Sequence, residues 1–254
     1  MSDRNTYILV PARLDSSRIH NKLIKKFSDG SCVISRVMKR LKTLDYIPYL
    51  VTDSEDIIKA SGHDNNLCFI ELSGDSGTDR LSRFLTNNSS VQMNDEDCCI
   101  IVLGDQPEIN LNLVRLAKQY YFQKDNKFDA VTFHATHTDY ENYVSPNNCK
   151  LVLGDDNRIF YISRSPIPGH VEGFSSENNS HQHLQHISIV AISAKWLRNY
   201  HTLPEYSDTE QETNEWLRFI LNGCLMQSYE TSELHEPDVN VQSDWEYYEK
   251  KYGN

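Results

Sequence analysis

Three cations stand close together near the start of the chain, Arg13, Arg18 and Lys22, within the stretch YILVPARLDSSRIHNK from Tyr7 to Lys22. An apolar run from Tyr7 to Val10 is cut off by Pro11, so the stretch reads as a buried strand opening into a basic loop. In an open α/β sheet, ligands bind outside the carboxyl ends of the strands, where Arg and Lys can meet a polyphosphate. The loop lacks the glycines of a P-loop or a dinucleotide fingerprint, so spacing alone leaves a phosphate clamp and a solvated basic loop equally open. A partner for the clamp is the small polar stretch Ser76-Gly77-Thr78, where glycine lets backbone approach an anion and the hydroxyls can donate; a plain helix N-cap is the alternative. Asp105 follows the most apolar run of the chain and is suited to a hard divalent ion bridging phosphates, or else to a turn beside Pro107. A second carboxylate for such an ion is sought in the acidic tail, at Glu236, Asp238 or Asp244. A further polar set, Lys150, Ser163, Arg164, His186, Glu212 and Glu215, offers cations for a carboxylate and acids for hydroxyls, although the two glutamates can equally decorate a helix surface. No spacing supports a Ser/His/Asp or Cys/His nucleophile.

Regular elements must bring these groups together. Ser31–Leu44 carries Val33, Ile34, Val37, Met38 and Leu41 at helical spacing, with Arg36, Lys39, Arg40 and Lys42 on the other side as a solvated face. Strands are predicted at Ile47–Thr52, Leu67–Leu72 and Cys98–Leu103, the last apolar throughout as befits burial on both faces. Helices are predicted at Ser54–Ala60, from about Asp79, and at Leu111–Gln123. This alternation predicts an α/β fold with a mostly parallel sheet wrapped by helices, and right-handed crossovers then gather the loops after Val10, Thr52, Leu72 and Leu103 on one edge. The second half reads as a strand at Phe128–His134, a hairpin of Cys149–Leu153 and Arg158–Ile162 around Gly154–Asn157, and an exposed loop at Gly173–His183 serving as a lid or dimer element. It continues with a strand at His186–Ile192, helices at Ala194–Tyr200 and about Thr209–Asn222, a strand at Leu225–Glu230 and an aromatic helix, Ser243–Tyr252, that docks on the core.

The chain has 254 residues, 39% of them apolar, enough for one large domain with a substantial core. A net charge of -11 argues against a nucleic-acid binder and makes the local cations conspicuous. Six scattered cysteines lack any CxxC or zinc-type spacing, which fits reduced thiols, with Cys98 and Cys99 as packing residues. No apolar signal region opens the sequence and no run approaches a membrane span, so the expectation is a cytoplasmic protein without membrane partners.

Taken in order, several stretches resemble the cytidylyltransferases that activate acidic sugars, the CMP-KDO synthetase (3-deoxy-manno-octulosonate cytidylyltransferase) family. The PAR-x-x-S-[ST]-R-x-x-x-K loop is matched by Pro11, Ala12, Arg13, Ser16, Ser17, Arg18 and Lys22, and an ATD-like strand end by Val51-Thr52-Asp53. SGT-[DE]-R corresponds to Ser76–Arg80, GDEP to Gly104-Asp105-Gln106-Pro107, and PN-x-x-K to Pro146–Lys150. YFSR-x-x-IP corresponds to Tyr161–Pro168, with His186 before a strand and E-x-x-E-x-x-LR at Glu212–Arg218. The resemblance implies a nucleotidyltransferase-type, Rossmann-like single domain, with residues 1–125 binding the nucleotide and 126–254 binding the sugar and forming a homodimer. Pro11, Ala12, Arg13, Ser16, Lys22, Ser76, Gly77, Thr78 and Arg80 would then hold CTP, with Arg13, Arg18, Lys22 and Asp105 as the catalytic set. Asp105 and the position of Asn240 would bind Mg²⁺, and Gln106, Lys150, Arg164, His186, Glu212 and Glu215 would bind the sugar. The implied reaction transfers CMP from CTP to KDO or a related 2-keto sugar acid, with release of pyrophosphate.

The chain also departs from the family pattern. Asn21 stands where the family has Gly, Leu103 where it has Gln, Gln106 where it has Glu, and Asn240 where it has the second metal-binding Asp. Asn offers a cation one neutral oxygen in place of a carboxylate. These differences keep two alternatives in view: a cytidylyltransferase for another acidic sugar or a phosphonate, and a nucleotide-binding paralogue impaired in catalysis.

Overall fold

The computed structural model describes residues 4–16, 18–123, 127–169, 182–233 and 236–253. The first half runs β1 (Thr6–Ala12), α1 (Val33–Leu41), β2 (Pro48–Thr52), α2 (Glu55–Ser61), β3 (Cys68–Ile70), α3 (Gly77–Asn87), β4 (Cys98–Val102) and α4 (Leu111–Tyr121). The second runs β5 (Ala130–His137), α5 (Tyr140–Val144), β6 (Lys150–Leu153), β7 (Ile159–Ser163), β8 (His183–Ser193), α6 (Ala194–Asn199), α7 (Ser207–Glu212), α8 (Glu215–Leu221), β9 (Met226–Glu230) and α9 (Gln242–Tyr252). One sheet joins both halves in the order β3-β2-β1-β4-β8-β5-β9. The first four strands are parallel, β8 is antiparallel to β4 and β5, and β9 is again parallel to β5. The β6–β7 hairpin joins the sheet where Lys150 pairs with Gln185 of β8. The α/β architecture expected from the alternation is therefore present.

Side-chain alternation along β1 divides the core into two layers. Ile8 and Val10 pack with Val33, Val37 and Met38 of α1 and Leu113 of α4 on one face, whereas Leu9 meets Leu81 and Phe84 of α3 on the other. Cys98 and Cys99 divide likewise and are fully buried. The aromatic helix α9 docks as predicted: Trp245 stacks on Phe27 with ring centroids 4.3 Å apart, and Tyr248 is buried. The cationic face of α1 also behaves as a surface, Arg36 pairing with Asp29 and Arg40 with Glu108.

Five features differ from the expectations. Strand β1 continues through Pro11 to Ala12, which is possible because β4 pairs with β1 only as far as Leu9, leaving the Pro11 nitrogen on a locally unpaired edge. Helix α3 begins at Gly77, two residues before Asp79, since the Ser76 hydroxyl caps it by accepting from Asp79 N. The helix expected over Thr209–Asn222 is two helices: Thr213 adopts left-handed backbone (φ 45°), and Asn214 starts α8 by accepting from Trp216 N and Leu217 N. Helix α5 has no counterpart in the predicted elements, and β8 starts at His183, three residues earlier than its predicted strand. Residues 173–181 of the loop expected at Gly173–His183 lie outside those described, as does Ser17.

Candidate functional site

The four strand-end loops meet as the topology requires. Asp53, just after β2, accepts Leu14 N through Oδ1 (2.9 Å) and pairs with Arg80 Nη2 through Oδ2 (3.1 Å). It thus ties the basic loop to α3. The Arg80 guanidinium also reaches the Glu71 carbonyl. Gly74 sits at φ 122° with Arg80 backbone so close that a Cβ would lie 2.8 Å from Arg80 N, so no other residue fits there without a shift. Asn21 holds a left-handed φ of 50°. That explains why Asn replaces Gly here: Asn is among the few L-residues that tolerate this region.

These loops enclose a cavity of about 550 Å³. Pro11, Ala12, Arg13, Ser16, Arg18, Lys22, Ser76, Gly77, Arg80, Asp105, Arg164, Glu215 and Asn240 all line it. So do residues that spacing did not single out, among them Tyr200, Glu205, Asn214 and Arg218. Their signal in the sequence is faint because they come from the stretch between α6 and the end of α8, which reaches the strand-end loops only through the chain's return. Leu103 lines the same cavity.

Two of the expected roles are already engaged with one another. Lys22 Nζ donates to Asp105 Oδ2 and to the Val239 carbonyl, each at 2.7 Å, with both side chains largely buried. Asp105 Oδ1 is also buried and accepts no hydrogen bond. One hard, dry carboxylate oxygen is what a Mg²⁺ shared with phosphates takes from a protein, so Asp105 fits the implied metal. Among the described residues no group of three or more His, Cys, Asp or Glu could hold an ion by itself, which leaves substrate oxygens and water to complete its shell. Asn240 Oδ1 accepts from Arg18 Nη2 at 3.2 Å. The acidic tail has structural partners: Asp244 Oδ2 accepts from Asn240 N and Val241 N at the start of α9, and Glu236 holds Lys251.

The Ser76-Gly77-Thr78 stretch is not an open anion loop. Glu215 fills it, accepting Gly77 N (3.0 Å) and Thr78 N (2.7 Å), so the carboxylate stands against the positive end of α3. Thr78 is buried outside the cavity lining, and Gly77 makes room for Pro11, whose ring carbons would lie 3.3 Å from an added Cβ. Beside Glu215, burial and then the Glu215 charge raise the Tyr200 phenol, which stays neutral.

A second cavity, of about 1030 Å³, adjoins the first, and Asn240 lines both. Its wall carries a run of amides: Asn142 Nδ2 donates to Gln185 Oε1 (2.7 Å), Gln185 Nε2 reaches Asn148 Oδ1 (3.4 Å), and Asn147 stands beside them. His186 lines this cavity with Nε2 at 2.9 Å from the Thr132 hydroxyl, and Glu230, Asp238 and Asp244 add acidic groups. Amides both donate and accept, which suits a polyhydroxylated molecule.

The remaining candidates are turned to the fold. Lys150 is fully buried and donates to the carbonyls of Ser145, Asn148 and Arg164 at 2.7, 2.8 and 2.8 Å, and burial lowers its ammonium to a pKa of about 8. Glu212 accepts Ser163 Oγ and Arg164 N at 2.5 and 2.6 Å, while the Arg164 guanidinium donates to the carbonyls of Glu212 and Pro146. Gln106 is buried, lines neither cavity, and its amide has no hydrogen-bond partner.

Comparison with known proteins agrees with this geometry. The chain is 29% identical to the 3-deoxy-manno-octulosonate cytidylyltransferase of Francisella tularensis subsp. tularensis over 248 residues, 95% of this chain and 96% of that one. The chain is also 29% identical to the same-named protein of Chlorobium limicola, over 94% of each chain. Its fold matches that of a CMP:2-keto-3-deoxy-manno-octonic acid synthetase solved in complex with CTP, with a TM-score of 0.80, 24% identity and 98% of each chain covered. Among the described residues no helix is long and apolar enough to cross a membrane. The model of the cytidylyltransferase family matches residues 7–236, nearly the whole chain, and the protein belongs to that family.

Proposed function

We propose that this cytidylyltransferase transfers CMP from CTP to KDO or a closely related 2-keto sugar acid. The observation that carries the reading is the pair of adjoining cavities, one holding Arg13, Arg18 and Lys22 together and one lined by amides, hydroxyls and carboxylates, with Asn240 in the wall of each. The names of the relatives matched over the whole chain support the same acceptor class. The triphosphate lies along Arg13, Arg18 and Lys22, and the acceptor's anomeric hydroxyl attacks the α-phosphorus from the second cavity. The new bond joins that oxygen to phosphorus, the bond to the β-phosphate oxygen breaks, and pyrophosphate leaves. Cations held before the substrate arrives neutralise the charge that develops, which is the main demand of phosphoryl-type transfer. Asp105 would hold Mg²⁺, which supplies further neutralisation of the phosphates. Lys22 Nζ keeps one N–H beyond those given to Asp105 and Val239, which can reach a phosphate while Asp105 Oδ1 stays available to the ion. Residues 1–125 supply most of the nucleotide cavity and 126–254 most of the acceptor cavity, within one domain that works as a cytoplasmic homodimer.

Pyrophosphate release from CTP and Mg²⁺, across a panel containing KDO, its 8-amino analogue and a sialic-type acid, tests this reading. Release with a 2-keto sugar acid is the expected result. Silence across the panel with CTP binding intact would move the assignment to another acceptor or to an impaired paralogue.

A further inference from the structure

Arg18 differs from three of the other cations of the site in what holds it; Arg13 and Arg164, which also line the cavity, have no ion pair among the described residues either. Lys22 is paired with Asp105, Arg80 with Asp53 and Arg218 with Glu205. The Arg18 guanidinium instead donates to two neutral amides, Nη1 to Asn147 Oδ1 at 3.1 Å and Nη2 to Asn240 Oδ1 at 3.2 Å. Among the described residues no carboxylate lies within ion-pair distance of it. Arg18 lines the nucleotide cavity, Asn147 the acceptor cavity and Asn240 both, so the three side chains form part of the partition between them. An amide oxygen fixes the direction of a guanidinium without cancelling its charge, whereas a carboxylate in the same place would do both.

We propose that Asn147 and Asn240 are positioning residues that hold the Arg18 guanidinium at this partition with its charge uncompensated, as a resting anion receptor between the two cavities. The inference rests on the two-cavity reading above and deepens it. Lys22 already shares its charge with Asp105, whereas Arg18 has no ion pair among the described residues and offers its full charge to an incoming phosphate. Asn240, where the family pattern carries a metal-binding Asp, thereby serves the cation and not the ion. The two long arms of the guanidinium fork are each fixed from a separate element, Asn147 from the loop before β6 and Asn240 from the loop before α9, so a loss at either leaves the group free to rotate.

The test uses the full chain and inorganic tripolyphosphate as the probe, with metal chelated, by titration calorimetry. Asn147→Asp sets a carboxylate against the guanidinium and is expected to weaken tripolyphosphate binding about tenfold at low salt, an effect of the size that close opposite charges produce near a protein surface. In an Arg18→Ala background the same substitution is expected to cost nothing further, because its target is gone. Asn147→Ala removes the anchor while leaving the charge, so it lowers kcat more than it raises the KM for CTP, a split that a loss of fold would not give. Equal cost of Asn147→Asp with and without Arg18, or no cost at all, overturns the proposal, as does failure of the parent to bind tripolyphosphate. The probe contains no acceptor, so this outcome is separate from that of the pyrophosphate-release panel.

Discussion

Replacing Lys150 with methionine gives the most direct separation of a binding role from a structural one. The ammonium is fully buried and its three protons go to three backbone carbonyls, of Ser145, Asn148 and Arg164, at 2.7 to 2.8 Å. Methionine fills the aliphatic volume and satisfies none of them. Leaving a buried acceptor unpaired costs about 1–3 kcal/mol, the Ser145 carbonyl keeps a second donor in Asn148 N, and partial access of water to the 145–148 loop argues for the low end, so Lys150→Met should lose about 2–3 kcal/mol of folding stability. Urea unfolding at neutral pH, where the ammonium is still protonated, reads this directly from the midpoint at constant slope. A ligand-binding lysine would instead raise KM and leave the midpoint in place. A variant within about 1 kcal/mol of the parent refutes the claim that these carbonyls depend on Lys150. The pH dependence has a definite sign. Burial lowers the folded pKa to about 8 from an ordinary value of 10.5, so between these values the unfolded chain binds the proton that the native one has shed. The parent's stability relative to Lys150→Met therefore rises with pH through that window.

Glu215→Ala removes the acceptor of Gly77 N and Thr78 N and the negative charge at the start of α3, for an expected loss of about 1–2 kcal/mol and a lower thermal midpoint; an unchanged midpoint would show that the cap is replaced by water. Gly77→Ala drives a methyl to 3.3 Å from the Pro11 ring, so the basic loop must shift by a few tenths of an ångström. A raised KM for CTP is expected, and a wild-type value would mean that β1 yields freely at Pro11. Burial also lowers the pKa of His134, whose Nδ1 lies 2.8 Å from Ser228 Oγ. A depressed imidazole pKa makes the unfolded chain bind the extra proton as pH drops through about 6.5, so stability falls there, and His134→Leu should flatten that part of a urea-midpoint profile. Asn240→Asp should raise Mg²⁺ affinity, measured with the isolated protein by calorimetry, while weakening tripolyphosphate binding through partial neutralisation of Arg18; stronger binding of both would contradict the separation of roles drawn here.

The local sequence determined the strands, most of the helices and the edge where the site forms. Apolar runs such as Cys98–Leu103 can only be strands buried on both faces, and strand-helix alternation with right-handed crossovers brings Arg13, Asp53, Ser76 and Asp105 together whatever the details. The ordered series of motifs carried the family for the same reason: each motif lies at a strand end, where backbone geometry is fixed by the sheet. Tertiary structure alone decided which charge meets which. Lys22 and Asp105 are 83 residues apart and Glu215 is 138 from the Gly77 amide it accepts, and no periodicity reports such pairings. Lys150 looked like a ligand cation because a buried lysine and an exposed one read alike in sequence; only the three carbonyls around it give it a structural role. Arg18 went the other way, from one member of a basic loop to a cation held by two amides, because the neutral partners that leave its charge intact lie 129 and 222 residues downstream. Sequence patterns encode burial and backbone conformation, which are local, whereas the free charge of a side chain depends on neighbours that only the closed fold supplies.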